Sequence, residues 1–132
     1  MNKGKIISVI GSVIEAQFPH DQVPKIRSML QIEQPSIMAE VASLLEGGVV
    51  KAVAFNPTDG LRRGAEVIDL DVPVTVPVGP ETLGRIFNVL GKPVDGLGEV
   101  KTAKRFPIRR DPPSFEEIAA RSEIFETGVK VI

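Results

Sequence analysis

Short runs of alternating apolar and polar residues, separated by turn residues, fill the first 77 positions and predict a series of β-strands. In residues 12–18, for example, Ile14, Ala16 and Phe18 fall on one side of an extended chain, as in a half-buried strand. The predicted strands cover residues 5–10, 12–18, 28–32, 37–45, 49–55, 67–70 and 74–78. The composition of residues 37–45 also suits a helix, but a strand is favoured because Gly47-Gly48 makes a turn into the next apolar run.

The predicted strands are short and closely spaced, which bears on how their edges are protected. Gly11-Ser12 allows a bend between the first two strands, and residues 56–60 form a dense turn. Closing into a small barrel would leave such strands without an unpaired edge. Ala52 and Ala54 share one face of their strand, and small side chains fit a tightly curved interior. The predicted fold is therefore mainly β, with a small closed N-terminal barrel of about six strands over residues 1–77.

A different pattern begins at residue 78. The first apolar residues there have the spacing of one helix face: Leu83, Ile86, Phe87 and Leu90. Gly91 stands where such a helix would end, and Asp95-Gly96 is a tight-turn signal. Residues 82–98 are therefore predicted to be a short helix, a stop and a turn, as at a junction between two structural units.

The remaining residues show weaker patterns. Residues 96–110 are predicted to be irregular or a hairpin, and Ser114 and Glu117 have capping-box spacing, which favours a short helix over residues 115–121. Residues 126–132 stay mostly apolar up to the last position, as in an element that has been cut. Because these apolar residues would normally pack on further strands, we expect residues 78–132 to be partly disordered or loosely docked in the isolated chain.

Composition narrows the classes of function. Of the 132 residues, 42% are hydrophobic and 25% charged, as in ordinary soluble proteins, and the net charge of −1 gives no general attraction to nucleic acid. The sequence has no cysteine, which excludes disulfides and thiolate metal ligands. Its single histidine, His20, lies in a predicted loop without neighbouring ligands, so no metal site is predicted.

The N-terminus superficially resembles a secretory signal, because Lys3 and Lys5 precede an apolar run. Gly11-Ser12 interrupts that run, and Glu15 and Gln17 continue it in strict alternation, so a strand is favoured. No run reaches the roughly 18–20 apolar residues of a membrane-spanning helix. The chain is expected to be soluble.

A phosphate-binding loop needs glycines, a lysine for the terminal phosphates and a Ser or Thr for magnesium. Gly91-Lys92 is followed by Pro93, and the residue five positions before Gly91 is Ile86. Gly4-Lys5 is followed by Ile6. Neither pair meets the requirement, so no nucleotide-phosphate loop is predicted in this chain.

A basic run could contact phosphate or nucleic acid; it consists of Lys101, Lys104, Arg105, Arg109 and Arg110. A solvated linker is the preferred interpretation, because Phe106 is the only aromatic residue among these cations and single-strand binders interleave several. The near-neutral total charge points the same way.

Other polar residues favour structural roles. Glu116 and Glu117 are adjacent in a predicted helix and would point in different directions. Asp69 and Asp71 could share one strand face, but no cationic partner is evident, and Ser114 has no histidine nearby. No catalytic, cofactor-binding or metal-binding residue is therefore predicted.

Several segments resemble the β subunit family of F-type ATP synthases. The similar segments are residues 4–15 (opening strands), 58–64 (barrel turn), 76–79 and 82–95 (domain junction), and 107–108, 113–115 and 124–132 (approach to the catalytic domain). Residues 85–91 and 125–128 look more like β than like the sister α subunit. Lys92 stands where the family usually has Glu, Gly96 is reminiscent of α, and residues 109–111 replace a stretch that often begins with His. Residues 26–48 match least.

The resemblance implies two units: residues 1–77 as the barrel, or crown, domain, and residues 78–132 as the junction and the start of an α/β nucleotide-binding domain, truncated before the phosphate-binding loop. It implies a peripheral, membrane-associated enzyme that couples the flow of protons, or less often of sodium ions, to ATP synthesis. The barrels of α and β subunits would alternate in a hexameric crown above central-stalk subunits. ATP or ADP with Mg²⁺ would bind beyond residue 132, so this segment alone is expected to be inactive.

The resemblance also bears on location and partners. A start at Met1 without a targeting peptide fits a bacterial or organelle-encoded protein, peripheral on the cytoplasmic face of the inner membrane or its stromal or matrix equivalent. The membrane would be contacted only through the complex, and nucleic acid is not expected to bind. The alternative hypothesis is a stand-alone barrel that binds RNA or a protein partner.

Overall fold

A computed structural model describes residues 2–102, 104–118 and 124, and the fold is given for those residues. The strands are β1 (Lys3–Ile10), β2 (Val13–Gln17), β3 (Met29–Ile32), β4 (Ile37–Leu44), β5 (Val49–Ala54), β6 (Glu66–Asp69), β7 (Thr75–Val78) and β8 (Lys104–Pro107). Short 3₁₀ helices cover Glu46–Gly48, Pro80–Thr82 and Phe115–Glu117. Strands β1–β6 close into an antiparallel barrel in the order β1-β2-β5-β4-β3-β6, while β7 and β8 pair as a separate sheet.

The barrel confirms the predicted fold class, and its six strands lie within two residues of their predicted bounds. Alternate residues point inward and form one apolar core: Ile6, Ile14, Ala16, Phe18, Leu30, Ile32, Ile37, Ala39, Val41, Val50, Ala52, Ala54 and Val67. The register shifts between Ile6 and Ser8 in β1 and between Val41 and Ser43 in β4. Such bulges bend long strands, which helps a sheet this small to close.

The barrel interior is tight enough to require small residues. Ala16, Ala39 and Ala52 are fully buried, as expected for the inner face of a narrow barrel. A Cβ added at Gly4 would lie 2.6 Å from the Gln17 carbonyl oxygen and 2.9 Å from the Phe18 ring. The glycine at position 4 therefore allows β1 to approach the end of β2.

The strand predicted at residues 74–78 is present as β7, but it lies outside the six-stranded barrel and pairs with β8. Strand β6 already pairs with both β1 and β3, so closure leaves no edge for another strand. Asp71, with a φ of 50°, and Pro73 then end the regular structure before β7 begins. The Ile108 amide donates to the Val74 carbonyl at 3.0 Å.

Two prolines lie within the β7–β8 sheet. The register pairs Thr75 with Pro107 and Pro77 with Arg105, which places both proline nitrogens on the outer edges of the pair. Proline is tolerated at such positions because no ladder hydrogen bond is lost. Because the two prolines have no N–H group, the outer edges of β7 and β8 also offer fewer hydrogen-bond donors to a further strand.

The helix predicted over residues 82–90 is wrong. Phe87 and Pro93 form an antiparallel bridge, and the Val94 amide donates to the Ile86 carbonyl at 2.9 Å, so residues 85–95 fold back as a hairpin, named here the junction hairpin. Asn88 Oδ1 accepts from the amides of Leu90 and Lys92 at 3.0 and 2.9 Å. These side-chain acceptors replace the bonds that a helix would make.

The last part of the chain is described only in part. Strand β8 lies within the region predicted as irregular or a hairpin, and a 3₁₀ turn at Phe115–Glu117 stands where a helix over residues 115–121 was predicted. Residues 119–123 and 125–132 lie outside the described residues. The boundary at residue 77 and the partial disorder of residues 78–132 stay predictions. Across the described part of the chain, no helix has the length and apolarity needed to cross a bilayer.

Candidate functional site

A polar cluster lies where the chain leaves the barrel. The Asp69 carboxylate, 2% exposed, accepts from the Ser28 hydroxyl at 2.5 Å and from the Asp71 amide at 3.0 Å. Asn2 Nδ2 lies 3.4 Å from its other oxygen. Asp71 itself points outward and pairs with Lys25 at 3.4 Å, a cationic partner that sequence reasoning missed. The two aspartates therefore do not act together, and Asp69 ties the end of β6 to the start of β3.

The junction hairpin is held by an ion pair. Arg85 Nε and Nη2 donate to the two Asp95 oxygens at 2.5 and 2.9 Å, and the Ile86 and Leu97 amides donate to the same carboxylate. The side chains of Arg85 and Asp95 are 14% and 7% exposed. The Arg85 guanidinium, and next the Leu97 amide, hold the pKa of the Asp95 carboxyl well below its usual range. Asp95 is therefore an ionised structural anchor.

Gly91 has a packing role. Its φ is +70°, and an added Cβ would lie 2.6 Å from Pro77 Cδ and 3.1 Å from an Arg105 nitrogen. Gly91 is buried between the hairpin and the β7–β8 sheet, so its backbone is not open to a phosphate. Gly91 thus has a packing role between two parts of the fold, and the absence of a phosphate loop at Gly91-Lys92 stays a prediction.

The basic run divides among several intramolecular contacts. Arg105 donates to the Thr75 and Leu90 carbonyl oxygens, and Arg110 lies over the Phe106 ring at 4.4 Å from its centroid. Arg109 pairs with Glu40 on the barrel wall at 3.3 Å. Three of the five cations are thus engaged within the chain, which differs both from a purely solvated linker and from a free phosphate-binding patch.

Other predicted groups are not brought together. Among the described residues, no three histidine or acidic side chains cluster so that they could hold a metal ion, and His20 lies exposed in the loop after β2. Glu116 is exposed, and the Glu117 side chain lies outside the described residues. Among the described residues, the buried side-chain nitrogen and oxygen atoms all have hydrogen-bond partners, so none is left aimed at an absent ligand.

The outer wall of the barrel carries an apolar row. Cross-strand pairing places Ile10 beside Val13, and Val13 beside Val53, in neighbouring strands β1, β2 and β5. Ile10 is 71% exposed and Val53 40% exposed. Glu40 of β4 continues the row next to Val53. Exposed apolar side chains in one row are typical of a surface that contacts another protein.

Besides the partner of Asp71, sequence reasoning missed the pairs Arg85–Asp95 and Arg109–Glu40. The first could have been found from a hairpin register, since residues 85 and 95 are opposite each other when 87 pairs with 93. The second joins residues far apart in sequence and gave no local signal.

Comparison with known families identifies the family to which the chain belongs. The family described as ATP synthase alpha/beta family, beta-barrel domain, matches residues 6–71, half of the chain. The matched residues contain almost the whole of the six-stranded barrel, from β1 to β6. The chain therefore belongs to the ATP synthase alpha/beta family and carries its β-barrel domain.

Proposed function

We propose that this chain is the N-terminal part of the catalytic β subunit of a proton-translocating F-type ATP synthase, and that its barrel assembles with α-subunit barrels. The observation that carries the proposal is the agreement between the closed six-strand barrel and the family match over residues 6–71. The β assignment rests on the sequence of residues 85–91 and 125–128, which resembles β more than α. The parent subunit would make or hydrolyse ATP with Mg²⁺, on the cytoplasmic face of the inner membrane or its organellar equivalent.

The character of the described polar groups supports an assembly role. The Asp69 cluster, the Arg85–Asp95 pair and Gly91 hold parts of this chain together. None of them presents an unpaired reactive group at a cavity, as a nucleophile with a base would. In this proposal the barrel contributes a rigid contact surface, and the nucleotide chemistry belongs to residues beyond this segment.

Side-by-side packing of barrels requires an apolar outer wall, and the row through Ile10, Val13 and Val53 offers one. Sedimentation velocity of this chain mixed with the α subunit of the same complex tests the proposal. We expect association, and we expect Val53→Lys to weaken it at least tenfold, because a charge would then be buried in the contact. Leu97→Lys, at an exposed position outside the barrel, is the matched control and should leave association unchanged.

Two binding measurements separate this proposal from a stand-alone RNA-binding barrel. Titration with single-stranded RNA at moderate salt should give no measurable binding, whereas salt-sensitive micromolar affinity would support the alternative. Calorimetric titration with Mg-ATP should likewise show no saturable heat. No association with the α subunit, in a chain whose barrel is folded by circular dichroism, would contradict the assembly role.

A further inference from the structure

The β7–β8 sheet reaches the barrel wall at one described ion pair. Arg109 follows β8, and its Nε lies 3.3 Å from Glu40 Oε1 while its Nη2 donates to Glu40 Oε2 at 3.4 Å. Glu40 belongs to β4, so the contact joins the separate sheet to the barrel across 69 positions of sequence. Among the described contacts, this ion pair adds to the connection through residues 70–74, where the Leu70 amide donates to the Met29 carbonyl and the Met29 amide donates to the Val72 carbonyl.

The burial of the two side chains is unequal. The Glu40 side chain is only 13% exposed although it lies on the outer face of β4, opposite Met29 and Val53. The Arg109 side chain is 56% exposed. A carboxylate covered to this degree is destabilised when its cation leaves, whereas the arginine can return to water at little cost. The contact therefore favours the docked position of the sheet.

Neighbouring cations do not duplicate this contact. Arg105 is directed to Thr75 and Leu90, within the sheet and junction hairpin, and Arg110 stacks on Phe106. Arg27 lines the same groove on the barrel wall as Arg109, beside Ile26 and Phe55. Arg27 could compensate the Glu40 charge if Arg109 were removed, but it lies before β3 and cannot hold the sheet in place.

We infer that Arg109 and Glu40 form a releasable ionic latch that fixes the β7–β8 sheet, and with it the chain's exit from the barrel, against the barrel wall. When the latch opens, the sheet pivots at Pro73, which lies between the backbone hydrogen bonds of Val72 to β3 and of Val74 to Ile108, while the barrel stays closed. This inference concerns contacts inside the chain and does not depend on the proposed function or on any partner.

Paramagnetic relaxation measures the latch directly, because the chain has no native cysteine and accepts a single spin label. With the label on Leu44→Cys, an exposed site on β4, we expect Arg109→Gln to reduce relaxation enhancement at the Ile108 amide at least twofold. Glu40→Gln should have the same effect, and the double variant should add nothing further. Arg110→Gln is the control and should leave the enhancement unchanged.

Ionic strength gives a second measurement that needs no substitution. Raising salt to about 1 M, where the screening length is about 3 Å, should reduce the enhancement in the native chain and leave Arg109→Gln unaffected. Barrel amide shifts, recorded in parallel, verify that each variant is folded. Equal enhancement in the native chain and Arg109→Gln, or an equal loss in Arg110→Gln, would overturn the latch.

Discussion

The buried hydrogen bonds of the Asp69 carboxylate, at the point where the chain leaves the barrel, can be tested for their contribution to the free energy of unfolding. Replacing Asp69 with Ala removes the acceptor of two close hydrogen bonds, from the Ser28 hydroxyl and the Asp71 amide, and of a longer one at 3.4 Å from Asn2 Nδ2. Hydrogen bonds to a charged group contribute about 1.5–3 kcal/mol each. Since Asp69 is 2% exposed, water cannot easily replace the lost acceptor. We therefore expect Asp69→Ala to lower the free energy of unfolding by about 3–5 kcal/mol.

Conservative variants separate charge from hydrogen bonding. Asp69→Asn keeps one oxygen at the position that accepts from Ser28 and Asp71 and loses the longer bond from Asn2 Nδ2, so its cost should be near 1 kcal/mol, roughly that of one neutral hydrogen bond. Asp71→Asn removes a charge of the same kind at an exposed site, where its pair with Lys25 is worth about 0–1 kcal/mol. It is the matched control for the loss of a carboxylate.

Urea unfolding followed by far-ultraviolet circular dichroism suits this test, because the chain has neither Trp nor Tyr. Ser28→Ala alone should cost about 1.5–3 kcal/mol, and in the Asp69→Ala background its further cost should fall below about 0.5 kcal/mol. Strict additivity of the two substitutions, or an Asp69→Ala cost no larger than that of Asp71→Asn, would refute the reasoning.

Three further predictions concern the barrel core, the packing of the junction hairpin and the stability of that hairpin in acid. In the same urea assay, Ile14→Ala should lower the free energy of unfolding by about 2–5 kcal/mol, because Ile14 is buried in the core. Ile10→Ala, at an exposed position, should change it little. Equal effects of the two substitutions would contradict the assignment of Ile14 to the inner face and Ile10 to the outer face of the barrel. Gly91→Ala should speed amide exchange across residues 85–95 at least tenfold, because its Cβ meets Pro77, and Gly96→Ala, with open space around it, should have a smaller effect. The folded-state pKa of Asp95 is lowered, so its contribution is complete above the ordinary carboxyl pKa of about 4 and decreases as pH falls below that value. The protection factors of the hairpin amides, in which the intrinsic pH dependence of exchange is divided out, should therefore fall on acidification below about pH 4, and Asp95→Asn should abolish that fall.

The barrel could be predicted because its signals are local and agree with one another. Alternation in residues 12–18 fixes the buried face of β2, and Gly11-Ser12 and Gly47-Gly48 place the turns that begin β2 and β5. Short strands with many turns then leave closure as the simplest way to protect edges. The order of the strands in the barrel was not predicted, because cross-strand pairing such as that of β3 with β6 depends on residues distant in sequence.

The junction hairpin could not be predicted from its apolar spacing. Leu83, Ile86, Phe87 and Leu90 match one helix face, yet Ile86 is exposed and Phe87 is partly buried, as in an extended chain. The side chains of Asn88 and Asp95 decide the outcome by accepting backbone amides that a helix would use. Helix spacing in a segment this short is weak evidence when such acceptors and a glycine at position 84 lie within it.

The forces that hold the barrel differ from those that hold its exit. The core cluster of the barrel consists of apolar side chains, whose burial responds little to acid or salt. The junction hairpin and the attachment of the β7–β8 sheet to the barrel wall depend in addition on charges, namely the Arg85–Asp95 pair and the Arg109–Glu40 pair. Salt screens the exposed part of such pairs, and strong acid removes the charge of the Asp95 carboxylate. The junction hairpin should therefore loosen in strong acid, and the β7–β8 sheet should loosen from the barrel wall at high salt, before the barrel itself opens.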